Sequence, residues 1–513
     1  MQLFRFALCG LVLFIFGATT SVVLAQMKLP AILSDNMCIQ QNTEVKIWGW
    51  DDPGQSVEVR PSWTQESSST VVTEGGNWQV EVKTPVAGGP YTIAIEGSTS
   101  ASIKNILVGD VWVCSGQSNM DRKLGMQPRQ KPIVNFWEAA QHADLPNIRL
   151  FVVERAIADL PQEDLQGKWV VCTPETVLEF SAVGYFFAHR LQQDVDMPLG
   201  MIESSWGGTP VEAWTRKDAL QNSFLVDKEE SKKARFTADS FAFAANVQAF
   251  DQGFLNEAPT QPESFHYKRA PHHHIGSLYN AMIHPLLNFA ITGAIWYQGE
   301  SNRGHPKIYA KQFPTMIENW RAEWAVGDFP FYFVQIAPYY YNGNFGIPPL
   351  WEAQEAALAL PNTGMASTQD IGQIYDIHPP EKEEVGRRLA LLALEQHYET
   401  DGIVSSGPQL ADVTFKDGKA VLTFDAKNST FYFAGDGIGG IPSFFVADQR
   451  RIFYPAEVKQ QNNRLILSAN GIQEPVAVRY LWNDKANATI YNMHGLPTPG
   501  FRTDNWDDAL MME

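Results

Sequence analysis

The chain has 513 residues, 44% of them apolar, and carries 57 Asp and Glu against 39 Lys and Arg, a formal net charge of −18. That length exceeds what one hydrophobic core usually organises, so two or three domains are expected. The acidic balance without a basic cluster excludes nucleic acid as a partner class, and four irregularly spaced cysteines exclude a disulfide framework.

Residues 1–25 read as a cleaved signal peptide: Arg5, an apolar run from Phe6 to about Gly17, and the small-residue cleavage site Val23-Leu24-Ala25. The apolar run is shorter than the ~20 residues of a membrane-spanning helix. The expected product is periplasmic or extracellular, with no membrane partner after cleavage. Cys38, Cys114 and Cys172 remain in it. One pair of them could close a bridge in an oxidising compartment, while buried thiols at strand positions are the plainer reading.

Residues 26–104 alternate apolar and polar side chains in short runs, Val45–Trp50, Trp78–Val82 and Tyr91–Ile95, separated by Asp51-Asp-Pro-Gly54, Gly75-Gly76 and Gly88-Gly-Pro90. The pattern predicts a small antiparallel sandwich with a structural or positioning role. From 105 to 402 it changes to strands alternating with helices. Strands are predicted at Ile106–Cys114, Ile148–Val153, Leu199–Glu203, Gly293–Tyr297, Phe329–Ile336 and Met365–Thr368. Helices are predicted at Ala182–Val195, Leu278–Phe289, Tyr309–Trp324, Leu350–Leu360 and Glu381–Tyr398. Such alternation implies an α/β fold, a mostly parallel sheet with helices on both faces and a ligand site beyond the carboxyl ends of its strands.

A polar insertion at about 217–274 interrupts this rhythm and ends in His272, His273 and His274. Three consecutive imidazoles rarely converge on one ion, so they read as a solvated loop rather than a metal site. Residues 403–513 return to strand-like runs, Val413–Phe415, Ala420–Phe424, Phe431–Phe433, Phe444–Val446 and Ala477–Leu481, with a glycine-rich turn at 435–440. A second β-rich region is expected there.

Three segments stand at predicted strand ends. Gly116-Gln-Ser118-Asn-Met120 places a hydroxyl on a tight turn after a strand, with its own backbone N–H available to a developing oxyanion. Trp296-Tyr-Gln-Gly-Glu300-Ser-Asn302 sets three polar side chains after an apolar strand, where the Asn302 amide could donate to the same oxyanion. Asp376-Ile-His378-Pro379 precedes a helix, so His378 can act as general base with Asp376 two residues away to orient it. Singly, each would more often be an ordinary polar loop.

Together they resemble the SGNH hydrolases, and the longer strings resemble the sialate O-acetylesterase family and its acetylxylan-esterase relatives. The matching passages are Leu33–Met37, Gly116–Met120, Ser205-Trp-Gly-Gly-Thr-Pro-Val-Glu-Ala-Trp214, Trp296–Asn302, Pro361–Met365, Ile377-His-Pro379 and Val385–Leu389. The resemblance implies an SGNH-like doubly wound sheet. It makes Ser118 the nucleophile, His378 the base, and Ser118, Gly207, Gly208 and Asn302 the oxyanion donors. Many SGNH enzymes place an aspartate three residues before the histidine, but that position is Tyr375 here. The acid is therefore open between Asp376, Glu300 and Asp370, or a backbone carbonyl.

The implied reaction releases acetate from an O-acetylated sugar through an acyl-serine and water, with no metal or other cofactor. Gln117, Gln298, Trp206 and Tyr340 are the candidates for touching substrate, and Arg387 or Arg388 for a sialate carboxylate. Trp214, Trp296, Tyr297, Tyr339, Tyr341 and Tyr375 could also stack on sugars, although those at strand positions read better as core. Alternatives are an acetylxylan or other hemicellulose esterase, and a non-enzymatic carbohydrate-binding protein built on the flanking β regions.

Overall fold

The computed structural model describes residues 27–220, 224–252, 259–260, 262, 270–341, 346–427, 430–435, 441–485, 487–507 and 510–511. The expected signal peptide lies outside these residues, as do positions 436–440 of the glycine-rich turn.

The first strands are β1 (Cys38–Gln40), β2 (Glu44–Trp50), β3 (Ser56–Pro61), β4 (Ser68–Val71), β5 (Asn77–Lys83) and β6 (Gly88–Glu96). Along β5 the side chains of Trp78, Val80 and Val82 are buried and those between them exposed, so a period of two gives it one core face. It pairs antiparallel with β2 along its whole length, while β3 pairs antiparallel with β4 and β6. Next, β7 runs unbroken for 17 residues, Ser100–Gly116. Its first half pairs with β6 and β1, and its second half becomes the centre of the main sheet. The boundary expected at 104/105 thus falls inside one strand.

Beyond β7 come α1 (Ser118–Asp121), α2 (Phe136–Gln141), β8 (Leu145–Val152), β9 (Trp169–Cys172), α3 (Ala182–Gln192), β10 (Leu199–Ser205) and α4 (Phe224–Asp251). Then follow β11 (Gly293–Tyr297), α5 (Pro306–Trp324), β12 (Phe331–Val334), α6 (Pro348–Glu355), β13 (Thr363–Ala366) and α7 (Lys382–Gln396). The sheet order is β13-β12-β11-β7-β10-β8-β9, parallel throughout except for β9 at the edge. Parallel strands covered on both faces need continuous apolar runs, and β11 and β12 are buried at every position.

Register decides which helix covers which face. Ser115 of β7 pairs with Trp296 of β11, so Trp296 is out of phase with Trp112 and points the other way. Trp112 packs on Phe187 of α3 and on His397 at the end of α7. Trp296 packs on Phe313 and Trp320 of α5. Each such aromatic pair adds roughly 0.5–1.5 kcal/mol to the burial of its surface. The same registers level the strand ends, with Gly116 opposite both Ser205 of β10 and Tyr297 of β11. The loops after these three strands therefore leave the sheet side by side, where the strand order reverses around β7.

Two helices differ from expectation. Over 278–289 the chain forms a π turn, Tyr279–Ile283, and then a 3-10 turn, His284–Leu286, because Pro285 has no N–H to extend an α-helix. The helix expected at 350–360 starts at Pro348 and tightens into a 3-10 turn over Ala356–Ala359.

The C-terminal strands are β14 (Gln409–Lys416), β15 (Lys419–Asp425), β16 (Phe431–Phe433), β17 (Phe444–Ala447), β18 (Ile452–Pro455) and β19 (Glu457–Gln461). They continue with β20 (Arg464–Ser468), β21 (Ala477–Tyr480), β22 (Ile490–Asn492), β23 (Phe501–Arg502) and β24 (Leu510–Met511). They form sheets ordered β14-β15-β20-β19 and β23-β21-β17-β18-β24 and the pair β16-β22. One continuous cluster of buried side chains runs from Met27 to Leu496. The protein is an α/β fold with β-rich regions at either end. Cys38, Cys114 and Cys172 are buried free thiols. Among the described residues no helix is long and apolar enough to cross a membrane.

Candidate active site

The turn after β7 depends on a close approach of backbone. Gly116 has φ +138°, and a Cβ there would lie 2.2 Å from the Tyr297 carbonyl oxygen of β11. Gln117 N–H donates to that carbonyl at 2.9 Å, and the N–H groups of Met120 and Asp121 fold back onto Gln117 O. This turn sets Ser118 half-buried at the rim of the sheet. From the loop between β13 and α7, 260 residues further along the chain, His378 brings Nε2 to 2.9 Å from Ser118 Oγ.

The imidazole is held below its ordinary pKa, chiefly by burial and then by the charges of Lys382 and Arg122, with Asp376 and Asp121 opposing. It is therefore neutral at neutral pH, the form a general base needs. No carboxylate orients it through a described hydrogen bond. Asp376 accepts the backbone N–H of His378 at 3.0 Å and pairs with Lys131 at 3.2 Å. Glu300 Oε1 accepts from Asn119 at 2.6 Å. Asp370 is taken up by both outer nitrogens of Arg388 at 2.7 Å.

A buried network stands behind the pair instead. The Asn119 amide donates to Glu300 Oε1 and, at 3.0 Å, to the Ile377 carbonyl beside His378. Its oxygen accepts from Lys382 Nζ at 2.6 Å. Asn119 and Lys382 are fully buried, and burial with the Arg122 charge pushes the Lys382 pKa down to about 7. Burial also raises the pKa of Glu300, whose Oε2 has no partner. The amide thus joins two costly buried charges and ties the residue after the nucleophile to the loop carrying the base. Sequence reasoning assigned neither residue a role. A signal existed for Lys382, which shares the helical stripe of Val385, Gly386 and Leu389, where a lysine needs a buried partner.

At the end of β10, Trp206 N–H donates to Gly116 O at 3.1 Å, and a Cβ on Gly207 would lie 3.3 Å from Ser118 Cβ. Gly207 therefore lies against the nucleophile turn, and Gly208 follows with φ +78°. No described hydrogen bond takes up the N–H of Ser118, Gly207 or Gly208.

The other expected site residues have the following partners within the protein. Asn302 donates to Glu212 at 2.9 Å and accepts from Val211 N–H and Gln298, so its amide ties the 209–212 segment to the loop after β11. Gln298 is fully buried against Thr209, Asn302 and Tyr309. Gln117 accepts from the N–H groups of Gly299 and Ser301. Arg388 is buried in its ion pairs with Asp370 and Glu384, and Arg387 is paired with Glu384. Trp214, Trp296 and Tyr297 are core. Trp206 and Tyr340 are half-buried. His272 is not a free loop residue: it stacks on Trp206 at 4.7 Å and 5°.

The carbohydrate esterase family of sialic acid-specific acetylesterases matches residues 108–243 and 260–412, more than half of the chain. This chain belongs to that family. As a member it is a carboxylic ester hydrolase of the carbohydrate acetylesterase kind. The esterase is 27% identical to a mouse sialate O-acetylesterase over 96% of its own length and 97% of the relative's. It is 28% identical to a rat sialate O-acetylesterase over 89% and 90%. The crystal structure of a carbohydrate acetylesterase from Xanthomonas citri is similar with a TM-score of 0.79 and 32% identity, covering 94% of this esterase and all of that chain.

Proposed function

We propose that the protein is a serine esterase of the SGNH type, on a doubly wound sheet, that removes O-acetyl groups from sialic acid. The observation that carries the mechanism is the 2.9 Å hydrogen bond between Ser118 Oγ and His378 Nε2. Neutral His378 takes the Ser118 proton as the hydroxyl oxygen attacks the acetyl carbonyl. The tetrahedral oxyanion is held by the N–H groups of Ser118 and Gly207, with Gly208 beside them. One such donor accounts for about 10²–10³ in kcat. The imidazolium then gives its proton to the departing sugar oxygen, leaving an acetyl-serine. Water, deprotonated by His378, attacks that ester and releases acetate and free Ser118. The Asn119 bond to the Ile377 carbonyl supplies the positioning that a carboxylate supplies in other triads.

Hydrolysis of p-nitrophenyl acetate tests the mechanism. Ser118→Ala is expected to lose at least ~10³-fold in kcat, and equal rates for variant and wild type sink the reading. The sialic acid assignment draws on the family and on the mouse and rat relatives. An acetylated hemicellulose is the second reading, because the 32% identical relative is described only as a carbohydrate acetylesterase. Acetate released from O-acetylated sialic acid and from acetylated xylan, compared as kcat/KM, decides between them.

A further inference from the structure

The N–H of Gly207 and the carbonyl of Trp206 belong to one peptide unit, so a group that fixes the oxygen also fixes the direction of the N–H. In a trans peptide the two point to opposite sides of the chain. The glycines themselves do not set that direction: neither has a side chain, and Gly208 stands at φ +78°. The Trp206 oxygen does have a partner, since Thr209 Oγ1 donates to it at 2.8 Å. With Trp206 N–H on Gly116 O at 3.1 Å, both backbone groups of Trp206 are tied.

The Thr209 hydroxyl has a single hydrogen, and Trp214 decides where it goes. An indole N–H only donates. Trp214 Nε1 lies 2.9 Å from Thr209 Oγ1, so the hydroxyl oxygen accepts there and its hydrogen is left for the Trp206 carbonyl. Thr209 and Trp214 are fully buried, which keeps water from competing for either bond. Running from indole to hydroxyl to carbonyl, the chain polarises the peptide unit and makes its N–H a stronger donor. Gln298 holds the Thr209 carbonyl at 3.2 Å and Asn302 holds Val211 N–H at 3.0 Å, so the segment that carries the hydroxyl is itself pinned. A hydroxyl at a fully buried position is costly unless it is bonded, so packing alone does not explain a threonine there.

We infer that Thr209 is a positioning residue for the oxyanion donor: its hydroxyl holds the Trp206–Gly207 peptide so that the Gly207 N–H faces the oxygen that becomes negative as Ser118 attacks. The inference rests on the reading of Ser118 as nucleophile and Gly207 as donor. It also gives the buried Gln298 and Asn302 amides a part in catalysis at one remove, through the segment they pin.

The test measures kcat and KM for p-nitrophenyl acetate, and inhibition by methylboronic acid, in wild type, Thr209→Val, Thr209→Ala and Thr209→Ser. A boronic acid adds to a serine as a tetrahedral adduct, one oxygen of which takes the oxyanion's place, so its affinity reads the donors directly. Thr209→Val and Thr209→Ala are expected to lower kcat about 10- to 100-fold with KM little changed, and to weaken the boronate by a similar factor. Thr209→Ser keeps the hydroxyl and stays within a factor of about 3 of wild type. All rates are taken below the thermal transition of each variant, and should Thr209→Val not fold, the alanine and serine variants carry the same comparison. A lowered Tm with kcat and boronate affinity unmoved gives Thr209 a packing role alone and overturns the inference. A serine variant no better than the valine or alanine one overturns it too, as does a fall in kcat without loss of boronate affinity. Ser118→Ala reports separately: activity retained there removes the nucleophile assignment, whatever the Thr209 variants do.

Discussion

Lys382 is the charged residue that bears most strongly on the His378 imidazole. The base works as neutral imidazole, so kcat/KM is lost as pH falls through the His378 pKa, which lies below 6.5. Lys382, with its own pKa near 7, is charged there and is one of the groups holding the imidazole down. Lys382→Met removes that charge while keeping the buried stem, so the acid limb of the kcat/KM profile should move to higher pH. A limb that stays or moves to lower pH contradicts the assigned coupling. The meeting of Ser118 and His378 was legible in the sequence because each stands on a short motif at a strand or helix boundary. The roles of Asn119 and Lys382 were not, because they depend on where an amide between them turns its two ends.

At the scale of elements, α3 and α7 approach until backbone touches side chain. A Cβ on Gly386 of α7 would lie 2.6 Å from Phe186 Cβ and 2.7 Å from the Phe187 nitrogen in α3. Neither atom can swing away, so Gly386→Ala should destabilise by about 1–3 kcal/mol, read as a fall in Tm of a few degrees. A Tm at or above wild type would mean that the helices part without cost. Most elements were readable from periodicity and apolar runs. The segment around Pro285 was not, because its apolar spacing fits a helix while the proline removes a backbone donor within it. Ser181, whose Oγ accepts from Gly184 N–H at 3.2 Å, marks the start of α3 where its apolar run begins.

Across the whole molecule, β7 joins the N-terminal strands to the main sheet, and one apolar cluster spans the regions on either side. A chain starting at residue 105 would keep the central strand but strip β1 and β6 from its first half. Such a chain should be insoluble or lose its cooperative thermal transition, and a soluble, active product would show that the catalytic sheet folds alone. The sequence by itself determined the α/β rhythm, the β-rich ends, the family and the segments that reach the rim of the sheet, because these follow from local periodicity and short motifs. Only the tertiary structure decided which polar groups of those segments meet. It took Asn302, Gln298 and Asp370 into bonds of their own and brought Asn119 and Lys382 together across 263 residues. Hydrogen-bond partners that far apart are chosen by strand order and register, and a shift of one residue in a strand turns every side chain to the opposite face.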